Sequence, residues 1–438
     1  MLKLAMPAIV AQLINALYNI VDRIYIGNIP EIGGLALTGL GVTFPIIMSI
    51  AAFAALIGNG GAPLTSIWLG KGDKKTAENI MGNCFVALGV VAVALTVLFL
   101  IIKRPLLYMF GASDYTIGYA DDYLSIYVLG TIFVMFSLGM NAFINSQGFA
   151  PMGMLTVLIG AILNIILDPI FIFGFGMGVR GAALATIISQ AASAVWVLAF
   201  LRGKKTTLKI KREFMKIDWK LLARVLALGV SPFIMQITES MVQIALNSGL
   251  QRYGNDNYVG AMTIISSIFQ FLVMPISSLA VGAQPIIGYN YGAGNKKRVL
   301  HAFRLLLTSS MIMSCILWLA VHLFPGVFTG LFTQDETLRS IANWGIVIFT
   351  GGVFLMGVQF SCQQTFLALG QAKVSLFLAI YRKIILLIPL ALIFPIFWGV
   401  EGIFYAEPVA DILAALTTGT VFMFSIHKIL DKTEKKET

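Results

Sequence analysis

Gly70-Lys71-Gly72-Asp73-Lys74-Lys75 returns as Gly292-Ala293-Gly294-Asn295-Lys296-Lys297, a spacing of 292 − 70 = 222 positions in a chain of 438 residues. A repeat at about half the chain length marks one folding unit written twice. The same offset carries Gly61-Ala62 onto Ala283-Gln284, Pro63 onto Pro285, Phe110 onto Phe332, Gly130 onto Gly352 and Gly148 onto Gly370. Two short shifts complete the match: Pro7 and Pro232 are 225 apart, and Gly178-Val179-Arg180-Gly181 answers Gly399-Val400-Glu401-Gly402 at 221.

The solvent of both copies is lipid. Hydrophobic residues make up 58% of the chain, charged residues 11%, and mean hydropathy is +0.89, whereas about a quarter of a soluble domain is charged. Apolar stretches of roughly 20 residues, each long enough to cross a hydrocarbon core of about 30 Å as a helix, recur over 4–26, 36–62, 79–102, 122–146, 152–175, 181–201, 225–249, 258–287, 300–323, 342–369, 373–396 and 401–426. No run of alternating ten-residue strands suggests a barrel, so the backbone must be satisfied within helices. The expected fold is an all-α polytopic membrane protein with twelve transmembrane helices in two pseudo-symmetric six-helix lobes. The start of the chain, 1–10, reads as the beginning of the first span and not as a signal peptide.

Basic residues set the orientation. Lys71, Lys74 and Lys75 follow span two, nine Lys and Arg lie between Arg202 and Arg224 after span six, and Lys296, Lys297, Arg298 and Arg304 follow span eight; a further cluster lies in 428–436. The odd-numbered loops carry scattered Lys103, Arg104, Arg180, Arg252 and Arg339 beside Asp114, Asp121, Asp335 and Glu336. The positive-inside rule places both termini in the cytoplasm. The net charge of +10 is then loop bias rather than a nucleic-acid patch. The domain reading is an N-lobe of 1–201, a cytoplasmic linker of 202–224, a C-lobe of 225–426 and a charged cytoplasmic tail of 427–438. Six spans per copy give parallel repeats about an axis along the membrane normal, which places a substrate site between them near the midplane.

Cys84, Cys315 and Cys362 lie singly in apolar spans and read as small buried hydrophobes. His301, His322 and His427 lie near span ends without a second ligand at metal spacing. The informative residues are charges inside apolar runs, namely Asp22 in span one and Asp168 in span five. An ionisable group at that depth is costly unless it faces the bundle interior and finds partners. Tyr18 and Asp22, and Asn164 and Asp168, are each four apart and so share a helix face. Two carboxylates, an amide oxygen and a phenol suit a hard cation such as Na⁺. They suit a proton equally, because burial and a like-charged neighbour favour a protonated carboxyl. The second copy lacks the pair: Asp22 aligns with Asn247, Asp168 with the apolar Leu387-Ile388 stretch, Tyr123 with Gly345 and Thr186 with Glu407. Structural glue would be expected in both copies, whereas a coupling site is needed once.

The run Asn164-Ile165-Ile166-Leu167-Asp168-Pro169-Ile170-Phe171-Ile172-Phe173-Gly174, followed by Gly178-Val179-Arg180-Gly181-Ala182-Ala183-Leu184-Ala185-Thr186, closely resembles spans five and six of the multidrug and toxic compound extrusion transporters, in their prokaryotic multidrug branch. The resemblance covers essentially the whole chain. It implies an efflux antiporter of the cytoplasmic membrane, working by alternating access, that exports mostly cationic, amphipathic drugs in exchange for Na⁺ or H⁺. No cofactor, catalytic residue or nucleic acid is implied, and a monomer suffices for an internally duplicated pump. The resemblance assigns cation binding to Asp22, Asn164, Asp168 and Thr186, which would be the ligands if the ion is Na⁺, with Tyr18, Tyr123 and Asn141 in the surrounding polar network. Pro7 is the expected hinge of span one.

The C-lobe departs from the vibrio-type pattern. Glu239 in span seven matches it, but span ten offers Gln359, Gln363 and Gln364 where that branch has an acid, so a C-lobe Na⁺ site is not implied. Glu239, Met235, Gln236, Phe136, Glu407 and Asp411 are the candidate drug-contacting residues. For Glu407-Pro408 a kinked helix with a snorkelling or paired acid is the alternative. The chain holds nineteen Met and thirty-one Phe, which suits a pliable apolar cavity but equally suits lipid-facing packing. Two rival functions are a lipid-linked oligosaccharide flippase and a membrane-embedded enzyme. The first calls for a strongly cationic cavity, whereas only Arg23, Arg382 and Lys383 lie within spans apart from Arg304 and Lys373 at span starts. The second calls for a nucleophile with a base or a metal cluster, and the sequence displays neither.

Overall fold

The computed structural model describes residues 2–30, 32–110, 112, 114–254, 256–331 and 336–434. The Phe332 member of the Phe110 equivalence, Asp335 and the last tail residues, 435–438, lie outside them. Among the described residues nine helices are long and apolar enough to cross a membrane, or ten with the bent pair Ile117–Leu129 and Thr131–Ser146 counted as one. The first helix, Leu2–Gly27, adds one. The 60-residue apolar stretch Ala372–Asp431 divides at Gly399 and adds another, giving 10 + 1 + 1 = 12.

These are α1 (Leu2–Gly27), α2 (Gly33–Gly70), α3 (Lys74–Met109), α4 (Ile117–Leu129 with Thr131–Ser146), α5 (Ala150–Pro169 with a π-turn at Ile170–Gly174) and α6 (Val179–Arg202). The second copy comprises α7 (Trp219–Tyr253), α8 (Asp256–Gly292), α9 (Lys296–Leu323), α10 (Glu336–Phe349, Thr350–Leu355 and Met356–Ala368), α11 (Ala372–Ile380, a π-turn at Tyr381–Leu387 and Ile388–Trp398) and α12 (Val400–Glu434). Several helices outrun their apolar spans: α2 has 38 residues, about 57 Å at 1.5 Å per residue. Their ends therefore extend beyond the hydrocarbon core.

The duplication is written in backbone geometry. Gly178 and Gly399 open α6 and α12 at φ 55°, ψ −131° and φ 58°, ψ −141°. Only glycine adopts that region without strain. Gly72 and Gly294 turn the chain into α3 and α9 at φ 79° and 70°. Both α5 and α11 carry a π-turn, a feature that shifts the register of the side chains beyond it. In α3 the Asp73 side chain caps the helix, accepting from Thr76 N at 2.9 Å.

The chain divides into two compact units, Met6–Phe233 and Ile234–Thr438 with Met1–Ala5. The division falls inside α7. In Met6–Phe233, Met81, Leu88, Leu124, Phe143 and Ile144 form the centre of the core. Gly60 on α2 and Gly229 on α7 remove the side chains from a close helix crossing. A Cβ on Gly60 would lie 2.2 Å from Val225 O, and one on Gly229 would lie 1.7 Å from Leu56 O. The connection after α6 is a docked strap rather than a loose linker. Gln147 Oε1 accepts from Thr206 Oγ1 (2.9 Å) and Leu208 N (2.8 Å). Buried Glu78 accepts from Lys209 N and pairs with Lys211 at 2.6 Å. Asn83 Oδ1 accepts from Asp218 N at 2.6 Å. The Glu78 hydrogen bond holds the Lys211 ammonium above the ordinary lysine range. At the opposite end of α3, Lys103 pairs with Asp121 at 2.6 Å, and Arg180 of α6 pairs with Asp122 at 2.8 Å.

In Ile234–Thr438 one apolar cluster centres on Leu246, Ile265, Ile346 and Phe404, and another on Leu306, Phe366 and Phe422. Cys84 and Cys362 are buried, but Cys315 is exposed. It shares an outward stripe of α9 with Ile312, Ile316 and Leu319, so its burial in the sequence reading is corrected: it lies on an exposed apolar face of its helix.

Candidate functional site

The face of α5 that carries Asn164 and Asp168 is buried among polar neighbours within Met6–Phe233. Asn164 Nδ2 donates to Asp168 Oδ1 at 3.1 Å and to Thr186 Oγ1 of α6 at 3.4 Å. Asp22 of α1 is buried and within side-chain hydrogen-bonding reach of Asp168. Tyr123 of α4 is in reach of Thr186, with Tyr18 and Asp22 close enough to act on it electrostatically. The i, i+4 spacing on α1 and on α5 thus aims both faces at one place, and α4 and α6 close it.

Two acceptor atoms in this place, Asn164 Oδ1 and Asp168 Oδ2, are buried without a hydrogen-bond partner among the described residues. Buried acceptors of that kind are costly unless a donor or cation meets them. The oxygen-rich set therefore fits a small hard cation or a proton. Asn141 stands slightly apart: its Nδ2 donates to Gly153 O at 3.2 Å, and its Oδ1 accepts from Thr156 Oγ1 at 3.1 Å.

A polar cavity adjoins the carboxylates, lined by Asn15, Tyr18, Ser137, Asn141, Asn164 and Gln190 among others. Ser137 Oγ donates to Gln190 Oε1 at 2.6 Å. The sequence reading missed Ser137 and Gln190, although Thr186 and Gln190 are four apart on α6. Pro7 lies in the second turn of α1, which is helical through it, 22 − 7 = 15 residues from Asp22.

The drug-contact candidates divide. Phe136 stacks on Phe85 with centroids 4.8 Å apart and packs against the core. Gln236 is exposed. Met235 lines a pocket with Gln359, Gln363, Arg382 and Lys383, and its sulfur accepts from Gln363 Nε2 at 3.5 Å. Glu407 and Asp411 are buried and gripped by Arg382, at 3.2 and 2.6 Å. They are paired acids, and α12 continues helical through Pro408. Glu239 pairs with Lys383. These pairings were missed because Arg382 and Lys383 sit in the π-turn of α11, where regular helical spacing does not apply.

An internally duplicated helical bundle with buried carboxylates in each half, Asp22 and Asp168 in the first and Glu407 and Asp411 in the second, has the architecture of a secondary transporter, integral to the membrane. The chain belongs to the MatE family, whose model matches residues 7–170 and again 232–393, one match for each copy. Among relatives, the multidrug export protein MepA of Staphylococcus aureus (strain N315) is 26% identical over 421 residues, covering 95% of this chain and 91% of that protein. MepA of Staphylococcus saprophyticus is 24% identical over 443 residues, covering 100% and 96%. The fold matches a crystal structure of MATE in the bent conformation with TM-score 0.93 and 24% identity, over 99% of this chain and 96% of that one. A crystal structure of MATE in complex with MaD3S matches with TM-score 0.91 at 24% identity, over 98% and 96%.

Proposed function

We propose that this protein is a secondary active antiporter that exports mostly cationic, amphipathic drugs in exchange for Na⁺ or H⁺ by alternating access. The observation that carries the ion-coupling half is the meeting of Asp22 and Asp168 beside Asn164 and Thr186, away from bulk water. Two adjacent buried carboxylates require a shared proton or an intervening cation. The drug half draws support from the relatives named as multidrug export proteins. The protein works without a cofactor, in the cytoplasmic membrane of a prokaryote, with both termini in the cytoplasm. Its N-lobe (1–201) and C-lobe (225–426), joined by 202–224, are the moving bodies.

In this scheme the ion draws α1 towards α5, with Pro7 letting α1 bend, and the altered N-lobe cavity binds drug less well. Exchange needs that antagonism, because coupling is limited by the difference in each ligand's affinity for the two states. The test is reconstitution in liposomes with a Na⁺ gradient and a pH gradient imposed separately. Ethidium efflux driven by one of them is expected. Efflux under neither gradient overturns the antiport reading.

A further inference from the structure

The pseudo-symmetry that relates the two copies also relates their polar pockets. At the offset of 222, Ser137 corresponds to Gln359 and Asn141 to Gln363; at 221, Thr186 corresponds to Glu407 and Gln190 to Asp411. In the first copy these positions surround an open polar cavity beside the carboxylates. In the second, Gln359 and Gln363 line a pocket whose cations belong to the chain itself, Arg382 and Lys383.

Arg382 is fixed. Its guanidinium donates through Nε to Asp411 at 2.8 Å and through its terminal nitrogen to Glu407. Its two acids are 5% and 1% exposed, and such a fork holds its geometry. Lys383 is different. Its ammonium pairs with Glu239 and donates to Met235 O at 3.2 Å. Its side chain is 8% exposed, but that of Glu239 is 62% exposed. A carboxylate within an apolar span is not left against lipid, so this open side of Glu239 faces polar space. The cluster counts two cations, Arg382 and Lys383, against three carboxylates, Glu239, Glu407 and Asp411. With all five groups ionised one negative charge is in excess, and Glu239 is the member that an incoming ligand can reach.

We infer that Lys383 is a tethered stand-in for the substrate's positive charge. Its ammonium occupies Glu239 while the site holds no drug, and an amphipathic monocation displaces it. The lysine then swings on its flexible stem toward Glu407 and Asp411, which carry the charge excess once Glu239 is taken. A neutral drug makes no ion pair with Glu239 and does not compete with the ammonium for it, so the pair selects for charge. The inference rests on the drug-exporter reading and names the subsite at which that drug's charge is read.

The experiment is equilibrium binding of ethidium to the full-length protein in lipid nanodiscs, with chloramphenicol as the neutral comparison. Removing a competitor that leaves the carboxylate open about a tenth of the time lowers the apparent Kd about tenfold. Lys383→Met is therefore expected to tighten ethidium binding about tenfold and leave chloramphenicol unchanged. Lys383→Arg, which keeps the charge, guards against misreading a folding defect and should show no gain in ethidium affinity over the parent. In Glu239→Gln the Lys383→Met gain should vanish. Ethidium affinity unchanged in Lys383→Met, or a gain that persists in the double variant, overturns the inference. If the parent protein still exports ethidium from liposomes in that case, the exporter reading stands. Absence of ethidium binding and export from the parent and every variant removes both.

Discussion

Asn164 Nδ2 lies 3.1 Å from Asp168 Oδ1, one helical turn along α5, with both side chains buried. The amide thereby orients one carboxylate oxygen and leaves Asp168 Oδ2 and its own Oδ1 for an outside partner. Asp168→Asn or Asp22→Asn removes a buried charge that an ion would meet. A lost partner of that kind costs roughly 3 kcal/mol, so ion affinity should fall by about two orders of magnitude. Gradient-driven ethidium efflux should cease while insertion and thermal unfolding remain near the parent's. Asn164→Ala leaves both charges and should weaken the ion by about tenfold, the worth of one hydrogen bond to a charged group. Counterflow assays in liposomes across a Na⁺ or pH titration read both effects, and parental efflux from Asp22→Asn would defeat the assignment.

The glycine crossing of α2 and α7 makes a separate claim about packing. A methyl on Gly229 would sit 1.7 Å from Leu56 O, and one on Gly60 would sit 2.2 Å from Val225 O. Both obstacles are backbone, so no rotamer change relieves them. Gly229→Ala and Gly60→Ala should each destabilise by roughly 1–3 kcal/mol through overpacking. Gly89→Ala is the control: among the described residues its methyl would meet only Phe136 Cζ, at 3.6 Å, and alanine is the better helix former. Thermal unfolding in detergent should rank the control at or above the parent and the two crossing variants below it.

The same physics explains what the sequence discloses. The period was readable because the turns that start α6 and α12, and α3 and α9, need glycine in the left-handed region at matched positions. That Asn164 and Asp168 share one face was foreseeable from their i, i+4 spacing. Spacing on one helix says nothing of which other helix it meets, so the place of Asp22 beside them rested on the resemblance. Arg382 with Glu407 and Asp411 was not, because those contacts cross between α11 and α12 and depend on a π-turn that shifts register. Nor was the strap. Its basic composition is that of a solvated linker, and the buried Leu208 and Ile210, with Met215 packed on the core, betray a docked segment.

Docking of the strap is directly testable, because it is rich in trypsin sites: Lys204, Lys205, Lys209, Lys211 and Arg212. Cleavage requires local opening, and opening is resisted by the bonds to Gln147, Glu78 and Asn83. Glu78→Ala removes the acceptor for Lys209 N and the partner of Lys211. Weakening the strap by about 1.4 kcal/mol should raise the cleavage rate about tenfold where opening is in fast equilibrium. Gln147→Ala should act in the same direction, since it leaves Leu208 N without its acceptor. Cleavage in the parent as fast as in Glu78→Ala would mean that the strap is not held.

Asp73 supplies a pH prediction outside the membrane. Hydrogen bonds from the Thr76 side chain and backbone hold its carboxyl below the usual aspartate range. A carboxylate depressed on folding stabilises above its unfolded value of about 3.9, and that contribution fades as pH falls through the lower folded value. Asp73→Ala should cost about 1 kcal/mol at pH 7, as expected for a lost N-cap. The gap between the two proteins should begin to close as pH drops below about 4 and narrow further as pH falls through the lower folded value, where the parent's cap is protonated. Asp73→Asn keeps a capping oxygen without the charge, so its stability relative to Asp73→Ala should hold steady over the same range. Unfolding temperatures in detergent from pH 7 to pH 3 decide it: a parent-to-alanine gap that is constant with pH would show that the carboxylate's charge contributes nothing to the turn.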